Sequence, residues 1–398
     1  MTERMAVLLQ VPLTGRGPSY TCGLLTREMV TKELAMTIVT PRFRALRVSP
    51  AEVIEVLPRW TRYIPYRWLR SAAGHKLETA FLAFANNPKS QVSAAYIFPD
   101  AALETILELK RGGITVFREM INCHRGTAKI ILDDAYKRLG LVPQHGITEE
   151  SVTVEQKALE AVDYIFCSNS MVESSLLENH VHDDKLLKAS YGWDPARFSG
   201  SEKLLAPSEG MTAVFAGRIC VRKGAHLLLD YWAQSGVKGR LVMAGQLEPA
   251  IKAKCANLLR REDVIVRDYT PNAGALYRSA DIFVFPSLEE GGPQVTYEAC
   301  GCGLPVITTP MGAGRVVRHD REGFVIDPYD KLGWISAIRK LADDINVRRN
   351  MANAAIERAR NFIWSEVAGR RRRQVLDVLS NRKSPSGNTT KDYKVLGA

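Results

Sequence analysis

The chain has 398 residues, of which 46% are hydrophobic and 24% are charged, and its formal net charge is +11. This composition excludes a disordered or low-complexity chain, and the length is sufficient for two domains with separate cores. No apolar run approaches the roughly 18 to 20 residues of a membrane span, so we expect a soluble protein. Seven cysteines, an odd number scattered along the chain, predict reduced thiols in the cytosol. The basic excess alone does not distinguish nucleic acid, anionic lipid and phosphorylated small molecules as partners.

Short apolar runs alternate with amphipathic helical stretches along the chain, which is typical of parallel α/β sheets. In the first half, strands are predicted at 5–11, 37–40, 95–98, 115–121 and 164–167. Helical stretches over 128–139 and 154–162 separate some of them. A polar segment rich in Ser, Pro, Gly and Lys follows residue 191 and predicts a linker.

The same pattern then restarts, with strands predicted at 212–216, 239–244, 264–267, 281–286, 305–308 and 323–326. A helical tail is predicted over 332–379. This order predicts an α/β protein with two doubly wound domains that face each other across a cleft. The final residues, 381–398, are polar and are predicted to be disordered.

Ligands of such sheets lie beyond the carboxyl ends of the strands, where loops lead into helices. The loop after strand 212–216 contains Gly217-Arg218 and then Lys223-Gly224, which opens a helix. A fork-shaped guanidinium and a flexible ammonium at a helix N-terminus suit a diphosphate. The alternative is a solvated strand-to-helix turn whose charges are incidental.

The loop after strand 281–286 contains Glu290 and a Gly-Gly-Pro turn, and Glu298 lies in the helix that follows. The amides around Gln294 and Val295 are predicted to be free donors at a positive helix end, where they would suit an anion. The two glutamates could accept hydrogen bonds from sugar hydroxyls; a surface helix glutamate and a carboxylate stabilised by the helix dipole are the alternatives. A hydrolytic acid/base pair is disfavoured, because eight helical residues rise about 12 Å, whereas glycosidase carboxylates lie about 5 to 9.5 Å apart.

Two further loops complete the candidate site. His124 follows strand 115–121 and precedes a helix, so we expect it to face the cleft, with a structural role as the alternative. Gly15 and Gly17, after the first strand, would allow close backbone approach to a phosphate or an acceptor. No Asp-x-Asp sequence occurs, so we predict no metal; Arg218 and Lys223 would neutralise a leaving diphosphate instead.

Four features together resemble the retaining GT-B glycosyltransferases of family 4, also called glycosyl transferases group 1. They are GRxxxxKG at 217–224, E-x7-E at 290–298, the loop His124, and YGWDPARF before the linker. The resemblance is clearest over about 160–366. It implies an acceptor-side Rossmann-like domain at 1–195 and a nucleotide-sugar-binding Rossmann-like domain at 210–361. It also implies that a C-terminal helix, about 362–380, returns to the first domain.

The resemblance implies a role for each candidate residue. Arg218 and Lys223 would hold the donor diphosphate, Glu290 and the amides after it the donor sugar, and Glu298 the ribose hydroxyls. His124 would lie beside the transferred sugar, residues 268–270 would contact the base, and the loop at 15–17 would close over the phosphates. The catalytic set is therefore His124, Glu290, Arg218 and Lys223. The donor-binding set is Gly15, Gly17, Gly217, Arg218, Lys223, Asp268, Tyr269, Thr270, Glu290, Gly291, Gly292, Gln294, Val295 and Glu298.

The implied activity is retaining transfer of a hexose-type sugar from a UDP-, GDP- or ADP-linked donor to a glycan or glycolipid, as in polysaccharide or lipopolysaccharide biosynthesis. No cofactor other than the donor is expected. Two departures from the family pattern affect the sugar preference: Gly291-Gly292-Pro293 replaces Gly-bulky-Gly, and Gly-Arg-Gly at 15–17 replaces Gly-Gly. A nucleotide-sugar epimerase and a non-catalytic protein that binds nucleotides or anionic surfaces are the alternatives.

Residues 57–76 form a basic-aromatic segment without any acidic residue. Its cations are Arg59, Arg62, Arg67, Arg70 and Lys76, and its aromatic residues are Trp60, Tyr63, Tyr66 and Trp68. Such a segment can lie on an anionic lipid surface, and a partly packed helix with a solvated face is the alternative. Residues 370–373, four arginines, predict a second basic patch. No nucleic-acid motif accompanies either, so we predict a cytoplasmic protein, or one peripheral at the inner membrane face, without a nucleic-acid partner.

Overall fold

The computed structural model describes residues 2–44 and 46–383. The strands are β1 (Glu3–Leu9), β2 (Leu34–Thr40), β3 (Glu52–Glu55), β4 (Ala94–Phe98), β5 (Thr115–Met120), β6 (Tyr164–Cys167), β7 (Leu186–Lys188), β8 (Met211–Ala216), β9 (Gly239–Ala244), β10 (Val264–Arg267), β11 (Ile282–Phe285), β12 (Val306–Thr308) and β13 (Gly323–Val325). The helices are α1 (Pro18–Met29), α2 (Tyr66–Ala85), α3 (Leu103–Arg111), α4 (Arg125–Arg138), α5 (Glu149–Ala161), α6 (Ser170–Glu178), α7 (Ala225–Ser235), α8 (Pro249–Lys254), α9 (Ala256–Leu259), α10 (Ala273–Tyr277), α11 (Gln294–Gly301), α12 (Pro310–Ala313), α13 (Lys331–Asp343), α14 (Ile345–Ala359) and α15 (Trp364–Lys383).

The strands of the described residues form two parallel sheets. The first sheet has the order β3-β2-β1-β4-β5-β6-β7, and the second has the order β10-β9-β8-β11-β12-β13. Val7 of β1 pairs with Ile38 on one side and Tyr96 on the other, so the strand order reverses at β1 and β4. The second sheet reverses in the same way at β8 and β11. The predicted α/β class with two doubly wound sheets is confirmed.

Continuous apolar runs explain why these strands lie at the centres of the sheets. Residues 5–9 of β1 and all of β11 are buried, because helices cover both faces of each parallel sheet. The two edge strands β3 and β7 were not predicted. Their sequences, EVIE and LLK, contain charges and remain partly exposed, so they lack the apolar signal of a central strand.

Helix α15 returns to the first sheet through a buried ion pair. Its Arg371 is 1% exposed and donates to both oxygens of Glu119 in β5. The same guanidinium donates to the Tyr96 hydroxyl, the Ser168 hydroxyl and the Ser190 carbonyl. The prediction of a basic surface patch at 370–373 is therefore wrong for Arg371, because Glu119 holds this cation in the core.

The C-terminal prediction also needs a correction at its boundary. Residues 381–383 form the last turn of α15 rather than the start of a disordered tail. The rest of that predicted tail, 384–398, lies outside the described residues.

The chain crosses between the two halves of the molecule twice, and the crossings are joined by hydrogen bonds. The Trp193 amide donates to the Phe362 carbonyl over 3.0 Å, and the Trp364 amide donates to the Trp193 carbonyl over 3.2 Å. The Trp193 indole N–H also donates to the Ala359 carbonyl over 2.9 Å. Both connections therefore lie side by side.

Candidate functional site

The candidate site lies where the loops after β8 and β11 face the first sheet across the cleft. These loops follow the two strands at which the order of the second sheet reverses, which is where open α/β sheets bind ligands. Several side-chain contacts cross the cleft, and two of them lie beside these loops. Thr21 of α1 contacts Gln294 of α11 over 3.3 Å, and Asn122 after β5 donates to Glu289 over 2.8 Å.

Gly224 brings the β8 and β11 loops together. It has a φ of 66° and directly precedes α7. A Cβ at this position would lie 2.0 Å from the Pro286 carbonyl oxygen, so only glycine meets both the torsional and the steric requirement. The loop itself begins at Gly217, whose φ is 133°. The end of the β8 loop, which carries Lys223, is therefore held against the end of β11.

Lys223 and Glu290, both predicted for the site, form an ion pair at this junction. The side chains are 11% and 8% exposed, and the Ser287 hydroxyl donates to the Glu290 carboxylate over 3.0 Å. Burial lowers the pKa of Lys223 well below its usual value, with the Arg222 charge acting in the same direction. The ammonium also lies 5.4 Å from the centre of the Phe285 ring. The pair thus places one cation and one hydroxyl acceptor in a dry environment.

Arg218 has a different environment from Lys223. Its side chain is 59% exposed, and its nearest acidic partner, Glu248, is 3.8 Å away. Glu248 is itself held by the Val221 amide, which donates to its carboxylate over 2.9 Å. Arg218 is therefore a weakly held cation at the cleft, available to an anionic ligand.

Glu298 lies inside α11 and is almost fully buried. Burial raises its pKa to about 7, while the Arg197 charge acts in the opposite direction from 3.7 Å away. The Gln294 side-chain amide donates to one carboxylate oxygen over 3.2 Å, and the Tyr277 hydroxyl lies 3.4 Å from the other. A carboxylate in this position is hydrogen-bonded but poorly solvated.

The start of α11 departs from the prediction at one amide. The backbone N–H of Gln294 donates to the Gly292 carbonyl over 2.8 Å, so it is not the free donor that was predicted. The Gly-Gly-Pro sequence causes this difference, because it turns the chain tightly before the helix begins. Val295 lies in the first helical turn and is partly buried.

The two glycines of this turn are required by packing against the first sheet's side of the cleft. A Cβ at Gly291 would lie 2.1 Å from the Ile121 carbonyl carbon, and a Cβ at Gly292 would lie 2.4 Å from the Tyr191 ring. Neither distance is compatible with a side chain unless the backbone moves. The turn that carries Glu290 therefore touches the segment that follows β5.

Glu289 is the site residue to which sequence reasoning gave no role. It is 2% exposed, and its carboxylate accepts from the Asn122 side chain over 2.8 and 3.0 Å and from the Cys123 amide over 3.0 Å. Arg222 completes the cluster at 3.0 Å. The position of Glu289 next to Glu290 was the sole signal in the sequence, and it does not reveal which of the two carboxylates crosses the cleft.

His124 does not face the cleft, and that prediction is wrong. The ring is 1% exposed and caps α4, with Nδ1 accepting from the Gly126 amide over 3.1 Å. Nε2 therefore carries the proton and donates to Gln156 of α5, also over 3.1 Å. Burial lowers the pKa of the imidazole. Because the ring directs both nitrogens into the first half of the molecule, this side chain acts as a helix cap.

The predicted phosphate loop and the predicted base-contacting segment meet across the cleft. Gly15 and Gly17 have φ values of 74° and 53°, and between them Arg16 places its guanidinium 5.6 Å from the centre of the Tyr269 ring. Asp268, Tyr269 and Thr270 follow the carboxyl end of β10 and are partly or fully exposed. In the second sheet, β10 and β11 lie on opposite sides of β8. Residues 268–270 therefore lie on one side of the β8 loop, and the β11 loop with its contact to Asn122 lies on the other.

A cavity of about 420 Å³ lies between the two halves of the molecule. Its lining includes Arg118 and Arg125 from the first half and Arg218 and Arg222 from the second, together with Asp100 and Glu289. Arg118 is held by Asp100 at 2.8 Å and by Glu155 at 3.3 Å. Charges of both signs therefore line this cavity. Within 2–44 and 46–383, no group of three His, Cys, Asp or Glu side chains is arranged to hold a metal ion.

Comparison with known proteins defines the class. Residues 210–344 match the family model described as Glycosyl transferases group 1. The D-inositol 3-phosphate glycosyltransferase of Pseudarthrobacter chlorophenolicus is 28% identical over 54% of this chain and 56% of its own length. The enzyme of the same name from Corynebacterium efficiens is 26% identical over 90% of each chain. The chain thus spans about half the length of the first of these relatives and nearly all of the second.

Solved structures share the whole architecture. Sucrose-phosphate synthase from Thermosynechococcus elongatus superposes with a TM-score of 0.73 at 17% identity, covering 95% of this chain and 100% of that one. The Anabaena protein HepE, solved in complex with UDP and glucose, gives a TM-score of 0.65 at 13% identity over 95% and 100% of the two chains. Residues 210–344 thus resemble the group 1 glycosyltransferases, as predicted, and the chain has the GT-B fold, so the predicted fold class is confirmed.

Proposed function

We propose that this chain is a retaining glycosyltransferase that moves a hexose-type sugar from a nucleoside diphosphate sugar to a hydroxyl of a glycan or glycolipid. The junction of the β8 and β11 loops at Gly224 carries the proposal. It brings Lys223 and Glu290 together at the strand reversal of the second sheet, and Arg218 in the same β8 loop lines the cavity between the halves. Two cations and one hydroxyl acceptor are the groups that a diphosphate-linked sugar requires.

The donor would be held by an exchange of partners. Arg218 is exposed and can meet the diphosphate first. The Lys223 ammonium would then leave Glu290 and pair with the phosphate oxygens. The Glu290 carboxylate would be free to accept a hydrogen bond from a sugar hydroxyl. As the bond between sugar and diphosphate breaks, both cations would stabilise the developing negative charge on the leaving group. We propose that this replaces a metal ion.

The nucleoside end of the donor would lie towards α11 and the loop after β10. Glu298 would accept from the ribose hydroxyls, and the backbone at 268–270 would contact the base. HepE has been solved with UDP and with UDP-glucose, which makes a uridine donor the first to examine. The contacts of Arg16 with Tyr269 and of Glu289 with Asn122 would close the cleft and exclude water that could hydrolyse the donor.

Thermal stabilisation by UDP-, GDP- and ADP-glucose tests the donor assignment. We expect one of them to stabilise the wild-type chain, by about 2.7 kcal/mol when its concentration is 100 times its dissociation constant. Arg218→Ala should lose most of this stabilisation and keep its basal melting temperature, because the side chain is exposed. Lys238→Ala is the matched control, since Lys238 is also exposed and pairs with Glu209 away from the cleft. Equal stabilisation of the Arg218 variant, or none of the wild type, contradicts the proposal.

Turnover distinguishes transfer from the two alternatives. A transferase should consume the stabilising donor faster when a hydroxyl acceptor is present, and the product should keep the anomeric configuration of the donor by NMR. Inversion at a sugar carbon without any acceptor would identify an epimerase instead. Binding without turnover under every acceptor condition would identify a non-catalytic nucleotide-binding protein.

A further inference from the structure

The basic-aromatic segment, residues 57–76, exposes aromatic side chains to an unusual degree. It forms a 3-10 turn, Arg59–Tyr63, and then the first three turns of α2. Trp60, Tyr63 and Trp68 are 64%, 92% and 69% exposed. Among the described residues, the one other large aromatic side chain with comparable exposure is Tyr269, which lies against Arg16 at the cleft. Three such rings within nine positions form a surface that water solvates poorly.

The cations of this segment are mostly not neutralised. Arg59, Arg67, Arg70 and Lys76 are exposed and make no ion pair within the described residues, whereas Arg62 pairs with Glu55. The guanidinium of Arg67 lies 5.6 Å from the Trp68 ring. Positive charge and aromatic surface therefore occur on the same part of the molecule.

This surface is rigidly attached beside the cleft. Arg42 donates to the carbonyls of Thr61 and Ile64, over 2.5 and 2.9 Å, and is itself buried. The Tyr66 hydroxyl donates to the carbonyl of Gln10, which directly follows β1, over 3.1 Å. The segment thus lies at the carboxyl edge of the first sheet, the edge that faces the cleft.

We infer that the basic-aromatic segment docks on an anionic lipid bilayer and presents the cleft to a lipid-linked acceptor. Tryptophan and tyrosine favour the interface between headgroups and acyl chains, and arginine and lysine are attracted to anionic headgroups. A second copy of this chain fits less well, because two such surfaces would bring like charges together. The inferred docking on a bilayer does not depend on the proposed function, whereas the inference that the acceptor is lipid-linked rests on it.

No spanning segment accounts for membrane contact in the part of the chain described. Within it, no helix combines the length and hydrophobicity that crossing a bilayer requires. The inferred contact is therefore peripheral, with the exposed rings entering the headgroup region and the cations remaining among the phosphates.

Flotation of the full chain with vesicles tests the inference. We expect binding to phosphatidylcholine vesicles that contain about 30% phosphatidylglycerol and at least about tenfold weaker binding to pure phosphatidylcholine. Salt at about 0.5 M should weaken the binding similarly. Trp60→Ala/Trp68→Ala and Arg59→Glu/Arg67→Glu/Arg70→Glu should each reduce binding at least about tenfold. The control Lys238→Glu/Arg321→Glu/Arg349→Glu changes the net charge equally at exposed positions of the second half and should bind like the wild type.

Several outcomes overturn the inference. They are equal binding to neutral and anionic vesicles, equal loss in the control, and unchanged binding of both segment variants. Tighter retention of an RNA oligonucleotide than of anionic vesicles would assign the surface to nucleic acid. Self-association abolished by Trp60→Ala/Trp68→Ala would assign it to a second copy. The basal melting temperature of the same variants shows that they are folded, and stabilisation by the nucleotide sugar reports failure of the proposed function separately.

Discussion

Lys223 and Glu290 neutralise each other at the junction of the β8 and β11 loops, where both are nearly excluded from water. A buried ion pair contributes little net stability, because the cost of desolvating both charges offsets most of their attraction. The arrangement therefore has little structural justification by itself. Under the proposed function, the two groups are held in a dry environment for a ligand that offers each of them another partner.

Glu298 provides a prediction at the level of a single residue. Its pKa is raised from 4.5 to about 7 by burial. The folded chain therefore retains this proton to higher pH than the unfolded chain does, and its stability falls as the pH rises from about 4.5 to about 7. The shift corresponds to a loss of about 3 kcal/mol in the free energy of unfolding once the pH is above about 7.

Glu298→Gln should remove this dependence, because a neutral amide stays uncharged throughout the range. In the absence of nucleotide, we expect the variant and the wild type to have similar free energies of unfolding near pH 4.5. The variant should be more stable by up to about 3 kcal/mol at pH 8. Denaturant unfolding at a series of pH values measures the difference. A difference that stays constant with pH would show that Glu298 does not titrate in this range.

The residues of the site differed in how far sequence could identify them. The loops after β8 and β11 were recognisable because each joins an apolar strand to a helix and contains charged residues. The partners of those charges were not, since they come from distant parts of the chain: Asn122 for Glu289 and Gln156 for His124. Three-dimensional proximity, rather than local spacing, decides which side chain points into the cleft.

At the level of elements, the turn between β11 and α11 departs from the family pattern. Gly291 approaches the loop after β5 and Gly292 approaches the Tyr191 ring so closely that neither position leaves room for a Cβ. This packing explains why the bulky residue of the family pattern is absent here. The shape of the proposed donor-sugar site therefore depends on the contact between the two halves of the molecule.

Gly291→Ala should open the cleft without unfolding the chain. The added Cβ would meet the backbone of Ile121 at 2.1 Å, and separation of the two halves is the least costly relief. We expect kcat/KM to fall at least about tenfold, the melting temperature to change by only a few degrees, and the radius of gyration by X-ray scattering to increase.

Gly369→Ala is the control for that substitution. Gly369 lies within α15, and a Cβ there would contact only the end of the Arg372 side chain, at 4.0 Å. Its activity and radius of gyration should match the wild type. If Gly291→Ala also retains full activity, the close approach at this turn is not required for catalysis.

Most elements were predictable because the central strands are apolar over their whole length. The exceptions, β3 and β7, pair on one side only, and strands at an edge need fewer apolar residues. Neither edge strand changes the order of strands around the cleft. The architecture that positions the site could therefore be predicted from the apolar pattern, whereas the edge strands β3 and β7 could not.

At the level of the whole molecule, α15 ties the end of the described chain back to the first sheet. Arg371 looked like one member of a basic run, yet its guanidinium contacts Glu119, Tyr96 and Ser168 in the core. Four consecutive arginines do not indicate which one faces inward. The helical position decides this, and it becomes clear only once the helix is docked.

Arg371→Met should loosen this helix, because it leaves the Glu119 carboxylate buried without a cation. We expect a loss of about 3 to 5 kcal/mol in the free energy of unfolding and faster release of α15 by a protease. Arg371→Met/Glu119→Gln should recover part of the loss, since no uncompensated charge remains. Arg373→Met, at an exposed position of the same helix, is the control and should behave like the wild type. Equal losses in the single and double variants would show that the charge of Glu119 is not the cause.

The paired crossings at Trp193 also determine how a substrate can enter. Both covalent links between the halves run side by side and are hydrogen-bonded to each other, so they act as a single pivot. Sliding of one half over the other would break these bonds, whereas rotation about the pivot preserves them. An opening motion that preserves these bonds would therefore be a rotation about this pivot, with displacement that increases with distance from it. Such a rotation would break the contacts of Glu289 with Asn122 and of Arg16 with Tyr269 as the cleft opens and re-form them as it closes.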